Sequence, residues 1–262
     1  MESRSSMKKP SRKSRRKPPD IRIGTSGWSY VHWRKVFYPE GLPAPSWFGY
    51  YSRYFDTVEV KNTFNDLPDE ATFAKWHADA PPQFVFSVKA NRRITHTKRL
   101  KNVDAALSLF LERASALKRR LGPLLFQLPP ELRYDAARLE DFLSLLPPRR
   151  RYVIEVRHKS WLNDGMADML RRRKVAFCIH DHFEEKCPPY VTSNFSYFRF
   201  HGHSKKHGDS YPKRVLTSYA ETMAKILDSG RDVFAYFNND TSGYALKNAV
   251  NLRKILASIM AG

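Results

Sequence analysis

The sequence predicts an α/β chain closed into a (β/α)8 barrel of the TIM type, on three observations. Eight short runs rich in Val, Ile and Phe recur along it, each of strand length and strand composition. Segments with helical spacing lie between them, and strands alternating with helices imply parallel pairing. Eight such units in roughly 240 residues match a closed barrel, which takes about 250. An open doubly wound sheet is the alternative fold. It would carry a glycine-rich phosphate loop, and neither GxGxxG nor GxxxxGK(S/T) occurs.

The expected strands are "IRIGTS" from Ile21, "TVEVKN" from Thr57, "FVFSVKA" from Phe84, "LLFQLP" from Leu124, "YVIEVRH" from Tyr152, "VAFCIHD" from Val175, "YFRFHG" from Tyr197 and "DVFAYFNND" from Asp232. Helical spacing predicts helices over 45–54, 69–79, 136–146, 165–173, 213–227 and 245–260. A further helix places Val103, Leu107, Phe110, Leu111, Ala114 and Leu117 on one face. Asn102 or Asp104 would cap it, and Gly122 would end it before Pro123. The stretch after the sixth strand, "HFEEKCPPYVTSNFS", lacks a regular helix.

The charge is uneven. Of a net +20 over 262 residues, the first twenty supply +6 from eight Lys or Arg against two acids, with almost nothing apolar. Residues 1–20 read as a disordered basic tail and 21–262 as the barrel domain. The barrel's own excess of +14 points to an anionic small molecule or a nucleic acid as partner, although a basic surface also serves solubility. No apolar h-region follows the tail's charges, and no apolar run approaches the roughly 18 residues of a span, so neither a secretory signal nor a membrane partner is expected. Cys178 and Cys187 cannot build a disulfide framework, and their spacing matches no metal motif. A reduced, cytoplasmic setting follows; the oligomeric state stays open.

Alternation along each strand decides what faces the barrel interior. The helix-covered outer face must be apolar, whereas the top of the inner face tolerates polar groups. Val58 and Val60 take the outer parity and leave Glu59 and Lys61 inward. The same parity turns Ser87, Lys89, Gln127, Glu155, Arg157, Arg199 and His201 inward, and leaves the sixth and eighth strands ambiguous. Asn62, His96, His158, His180, Asp181, Asn238, Asn239 and Asp240 lie at strand ends or just beyond. These positions collect at the C-terminal rim, where barrel enzymes assemble their sites.

The motifs "IGTSGWSY", "FDTVEVKNTF", "LGPLLFQLPP", "YVIEVRHKSW", "YFRFHG" and "FNND" resemble those of the YecE-like family, domain of unknown function 72, and the similarity runs from Ile21 to Ala257. The resemblance implies a TIM-barrel-like fold with a polar cavity at one end, and implies no reaction. The residues matching the family's motifs include Trp28, Tyr30, Glu59, Asn62, Phe64, Lys89, Thr95, His96, Gln127, Glu155, Arg157, His158, Trp161, Arg199, His201, Asn238 and Asn239. Asn65 departs from the usual Tyr, and "HSKKHGDS" after Gly202 is a basic insertion.

Four chemistries fit these residues. Glu155 and Glu59 are candidate acid–base groups, with His201 or His96 as acid; strands two and five are expected to lie far apart around the barrel. Lys89 is a candidate amine for Schiff-base chemistry, while Cys178 is expected to face outward into the core. A divalent metal would draw on "HDH" from His180 and "HGH" from His201, against the repulsion of Lys89, Arg157 and Arg199, so no cofactor is assigned. Binding without chemistry is the fourth. Trp28, Tyr30, Asn62, His96, Gln127, Arg157, His158, Arg199, Asn238 and Asn239 would hold an anionic ligand, and Trp28, Tyr30, Trp33, Phe37 and Tyr38 would stack bases beside the basic stretch at Arg92 and Arg93.

Overall fold

The computed structural model describes residues 18–181, 187–202 and 209–262. Among these, eight parallel strands close into one barrel in chain order: β1 (Ile21–Ser26), β2 (Thr57–Val60), β3 (Val85–Lys89), β4 (Leu121–Gln127), β5 (Tyr152–Glu155), β6 (Ala176–His180), β7 (Phe195–Phe200) and β8 (Asp232–Phe237). β8 pairs back onto β1, from Ile21 opposite Val233 to Thr25 opposite Phe237. Around this wall run α1 (Trp47–Tyr51), α2 (Glu70–Asp79), α3 (Asp104–Ser115), α4 (Ala136–Ser144), α5 (Asp164–Arg173), α6 (Lys213–Asp228) and α7 (Tyr244–Ala261). The chain belongs to the (β/α)8 class, and no helix follows β6 among the described residues. None of the described helices is long and apolar enough to cross a membrane.

Several helices start where a short polar side chain accepts a bond from the first turn. Asp69 caps α2 through Thr72 N at 2.8 Å, and Asn163 caps α5 through Met166 N at 2.9 Å. α3 departs from expectation. Neither Asn102 nor Asp104 caps it: Asn102 adopts a positive φ, Val103 takes the cap position without a side-chain bond, and Asp104 is already helical. Nor does Gly122 end it. The helix stops at Ser115, and Gly122 sits inside β4, where an added Cβ would lie 2.5 Å from Val85 Cγ1 and 3.0 Å from the Phe86 carbonyl. That glycine serves close strand approach rather than helix termination.

The parity argument holds around the wall. Outward residues join the main core; Phe126, for example, meets Phe110 of α3 and Phe142 of α4 edge-on at 6.0 and 5.0 Å. A second, smaller apolar cluster fills the barrel: Leu125, Val153, Ala176, Cys178, Phe195, Tyr197, Phe234 and Tyr236. It resolves the two ambiguous strands, since Cys178 on β6 and Tyr236 on β8 face inward. Cys178 therefore does not turn outward as expected. Of the expected tail, residues 1–17 lie outside the described residues, while Asp20 is fixed by its backbone N–H donating to Asp232 at 2.8 Å.

Candidate functional site at the barrel mouth

Above the inner apolar layer the strand ends deliver charge. Register sets Ser26 opposite Glu59 and Glu59 opposite Ser87, so one polar row crosses the first three strands. Glu59 is fully buried and both its oxygens are occupied. Ser26 Oγ donates to Oε1 at 2.7 Å, Tyr197 OH donates to Oε2 at 2.6 Å, and Arg199 donates to Oε1 through Nε and Nη2 at 3.2 and 2.9 Å. The remaining arm of Arg199, Nη1, donates to Glu155 Oε2 at 2.7 Å. Arg157 then pairs with the other Glu155 oxygen. The result is an alternating chain, Glu59 to Arg199 to Glu155 to Arg157.

Strands two and five are thus not too distant to cooperate: the inward guanidinium of β7 spans the barrel and meets both carboxylates. Alternation of sign is what makes such burial tolerable, because each ion removed from water regains an opposite charge. Burial alone would raise the Glu155 carboxyl, but Arg157 and Arg199 hold it well below the usual carboxylate range.

His201 supports both guanidiniums. Its Nε2 lies 2.8 Å from Arg157 Nη2 and 3.3 Å from Arg199 Nη1. A guanidinium only donates, so Nε2 accepts and the ring proton sits on Nδ1, facing Asp181 Oδ1 at 3.2 Å. Burial, together with Arg199 and Arg157, pushes His201 well below its ordinary value, which keeps it neutral. Asp181 also accepts from His201 N at 2.9 Å and from Tyr211 OH, and burial raises its carboxyl to about 7. Tyr211 OH in turn accepts from Gly202 N at 2.7 Å, tying the ends of β6 and β7 to the segment before α6.

The other half of the mouth is cationic. Lys89, the last residue of β3, donates to Gln127 Oε1 at 2.6 Å and places Nζ 4.0 Å over the Phe64 ring. His96 meets the same ring edge-on at 4.7 Å from a π-turn over Arg93–Thr97, with Nδ1 2.9 Å from Thr95 Oγ1. Such turns are rare and concentrate at functional sites. Burial, then the Arg199 charge, lowers Lys89 to about 7. His96 is lowered by burial and by Lys89. Close by, Arg157 Nε is buried with no acceptor among the described residues. Lys61 donates to Asn238 Oδ1 at 2.9 Å and lies 5.1 Å from the Tyr30 ring centre, completing the rim.

The structure brings Glu59, Glu155, Arg157, Arg199, His201, Lys89, Gln127 and His96 together, with Tyr30 and Asn238 beside Lys61. Other expected residues stand elsewhere. Trp28 packs edge-on against Phe48 and Trp76 at 5.3 and 5.6 Å, beside the helical layer. His158 caps the short turn Lys159–Trp161, its Nδ1 accepting from Ser160 N at 3.1 Å. Asn239 is buried at the β8–α7 junction, donating to Asn248 Oδ1 at 2.9 Å, and Asn62 lies exposed in the turn Asn62–Phe64. Trp33 and Tyr38 are wholly in the core, with Tyr38 stacked on Trp47 at 4.8 Å. They offer no platform for bases. Sequence reasoning missed Ser26 and Tyr197 as partners of Glu59; both share the inward parity of their neighbours.

For metal chemistry, His182 and His203 of the two His motifs lie outside the described residues. Among the described residues no group of three or more His, Cys, Asp or Glu is placed to hold an ion.

Over residues 22–261 the chain matches the family described as "Protein of unknown function DUF72". It belongs to the DUF72 family. The DUF72 chain is 29% identical over 154 residues to UPF0759 protein YecE of Escherichia coli (strain K12), a match covering 58% of this chain and 54% of YecE. It thus spans about half the length of that relative. UPF0759 protein YunF of Bacillus subtilis (strain 168) is 23% identical across 90% of this chain and 94% of its own. The crystal structure of a DUF72 family protein from Thermotoga maritima superposes with a TM-score of 0.81 at 26% identity, covering 91% of this chain and 99% of that one.

Proposed function

We propose that this DUF72 chain is an enzyme whose barrel mouth binds a small anionic substrate, bearing a phosphate or carboxylate, and performs acid–base chemistry on it. One observation carries the reading: Arg157 Nε, buried without an acceptor among the described residues, stands on the side of the mouth that also holds Lys89 and His96. A buried donor left unpaired costs roughly 1–3 kcal/mol, and an anionic oxygen would satisfy it. Such an anion would also return charge to Lys89 and His96, both of which are suppressed by burial and neighbouring cations.

The roles then divide. Glu59 and Glu155, the residues first expected to move protons, hold Arg199 and Arg157 in place. His201 accepts from both guanidiniums, so the acid role suits it less than it suits His96. Lys89, lowered to about 7, is the group that exchanges protons near neutrality, with His96 against the same Phe64 ring. Nucleic acid as the ligand has weaker support, because Trp33 and Tyr38 are buried; the exposed Arg92 and Arg93 serve to attract a small anion. The cytoplasmic reading rests on Cys178 and Cys187, both free thiols.

Calorimetric titration with inorganic phosphate, in buffers of differing ionisation enthalpy, tests this. Binding accompanied by proton uptake at neutral pH is expected, weakened about tenfold or more in Arg157→Gln, the loss expected from removing about 1.4 kcal/mol of contact. Equal binding by a folded Arg157→Gln variant, or binding without proton uptake, would overturn it.

A further inference from the structure

We propose that Lys89 is a nucleophilic amine that captures the carbonyl carbon of an anionic aldehyde or keto acid as an imine. This rests on the anion-binding reading above and names the substrate class. Lys89 is partly exposed at the end of β3, and Arg199 and Arg157 lie among the charges around its amine. Its Nζ is fixed from two sides, by Gln127 Oε1 at 2.6 Å and by the Phe64 ring at 4.0 Å. The charged groups acting on it are Arg199, Glu155, Glu59 and Arg157, and His96 packs against the same Phe64 ring. In such a setting a substantial share of the amine is uncharged near neutrality, as its lowered value of about 7 reflects.

The chemistry balances without an oxidant or a metal. The Nζ lone pair forms a bond to the carbonyl carbon while the C=O π pair moves to oxygen, which takes a proton as nitrogen gives one up. A second proton delivered to that hydroxyl lets it leave as water. Nitrogen's remaining pair forms the C=N bond, and one N–H is lost unless the imine stays protonated. His96, on the same aromatic ring, is positioned to carry those protons. Arg157 Nε would take the anionic end of the substrate, so carbonyl and anion are recognised by neighbouring groups on β3 and just beyond β5.

Two probes separate this inference from the anion reading: pyridoxal 5′-phosphate and unphosphorylated pyridoxal, each followed by borohydride reduction and peptide mass mapping at neutral pH. The phosphorylated probe is expected to label Lys89 at least about tenfold faster than exposed lysines such as Lys35 and Lys101, a ratio set by their different neutral fractions. Inorganic phosphate should protect, and a folded Lys89→Arg variant should lose that label. Adducts on exposed lysines from both probes with Lys89 unmodified would overturn the inference, whatever phosphate does. If pyridoxal labels Lys89 as fast as its phosphate ester and phosphate gives no protection, the amine chemistry stands and the anion reading falls.

Discussion

Arg199 reaches a single oxygen of Glu59 through both Nε and Nη2, at 3.2 and 2.9 Å, across 140 positions of sequence. With its third arm on Glu155, this guanidinium links β2, β5 and β7 inside the barrel. The mouth is therefore built around a fixed ion, and the groups left to titrate stand at its edge.

Replacing that ion tests how far the site depends on it. Arg199→Met leaves two fully buried carboxylates without their shared partner, and breaking a buried network by removing one member costs about 3–5 kcal/mol. Urea unfolding at neutral pH should show a loss of that order. A loss below about 1 kcal/mol would mean that the carboxylates find other partners.

Lys89 should show the opposite sign. Its folded value of about 7 lies below its ordinary 10.5, so between those values the unfolded chain binds more protons and stability rises with pH. Below about pH 7 the burial penalty is present in full, at most roughly 5 kcal/mol. Lys89→Met should therefore melt higher than the parent at about pH 6, with the gap closing toward about pH 10. A variant less stable at both would show that the amine is charged and paired in the folded state. Stabilisation by removing a functional group is the usual mark of a site held under electrostatic stress.

Gly122→Ala probes the close approach of β3 and β4. Its Cβ would meet Val85 Cγ1 at 2.5 Å and the Phe86 carbonyl at 3.0 Å, and relieving such overpacking costs about 1–3 kcal/mol. Thermal melts should show a corresponding fall. An unchanged melting temperature would mean that the two strands separate freely there.

Much of this was legible in the sequence, and the misses have physical reasons. All eight strands and the inward set Glu59, Lys89, Gln127, Glu155, Arg157, Arg199 and His201 follow from a two-residue alternation that the helix-covered face makes obligatory. Parity says which residues enter the barrel, not which of them meet. That depends on side-chain reach across the interior, so the meeting of Glu59 and Glu155 at Arg199 was hidden. Tyr197 was within reach, lying two residues before the inward Arg199, and Ser26 ends the first strand at the rim, but a lone hydroxyl gives little signal. Cys178 was misplaced because β6 is apolar on both faces through Ile179, which leaves alternation nothing to read. Gly122 looked like a helix stop because glycine before proline serves there as readily as in a crowded strand.

The most direct test of the account is the ionisation of Lys89. Carbon-13 NMR of lysine Cε, assigned with Lys89→Arg, should give a midpoint near pH 7 in the free protein. Saturating phosphate should raise it by about one unit or more, the effect of an anion held close by. A midpoint near the ordinary 10.5, unmoved by phosphate, would contradict the account.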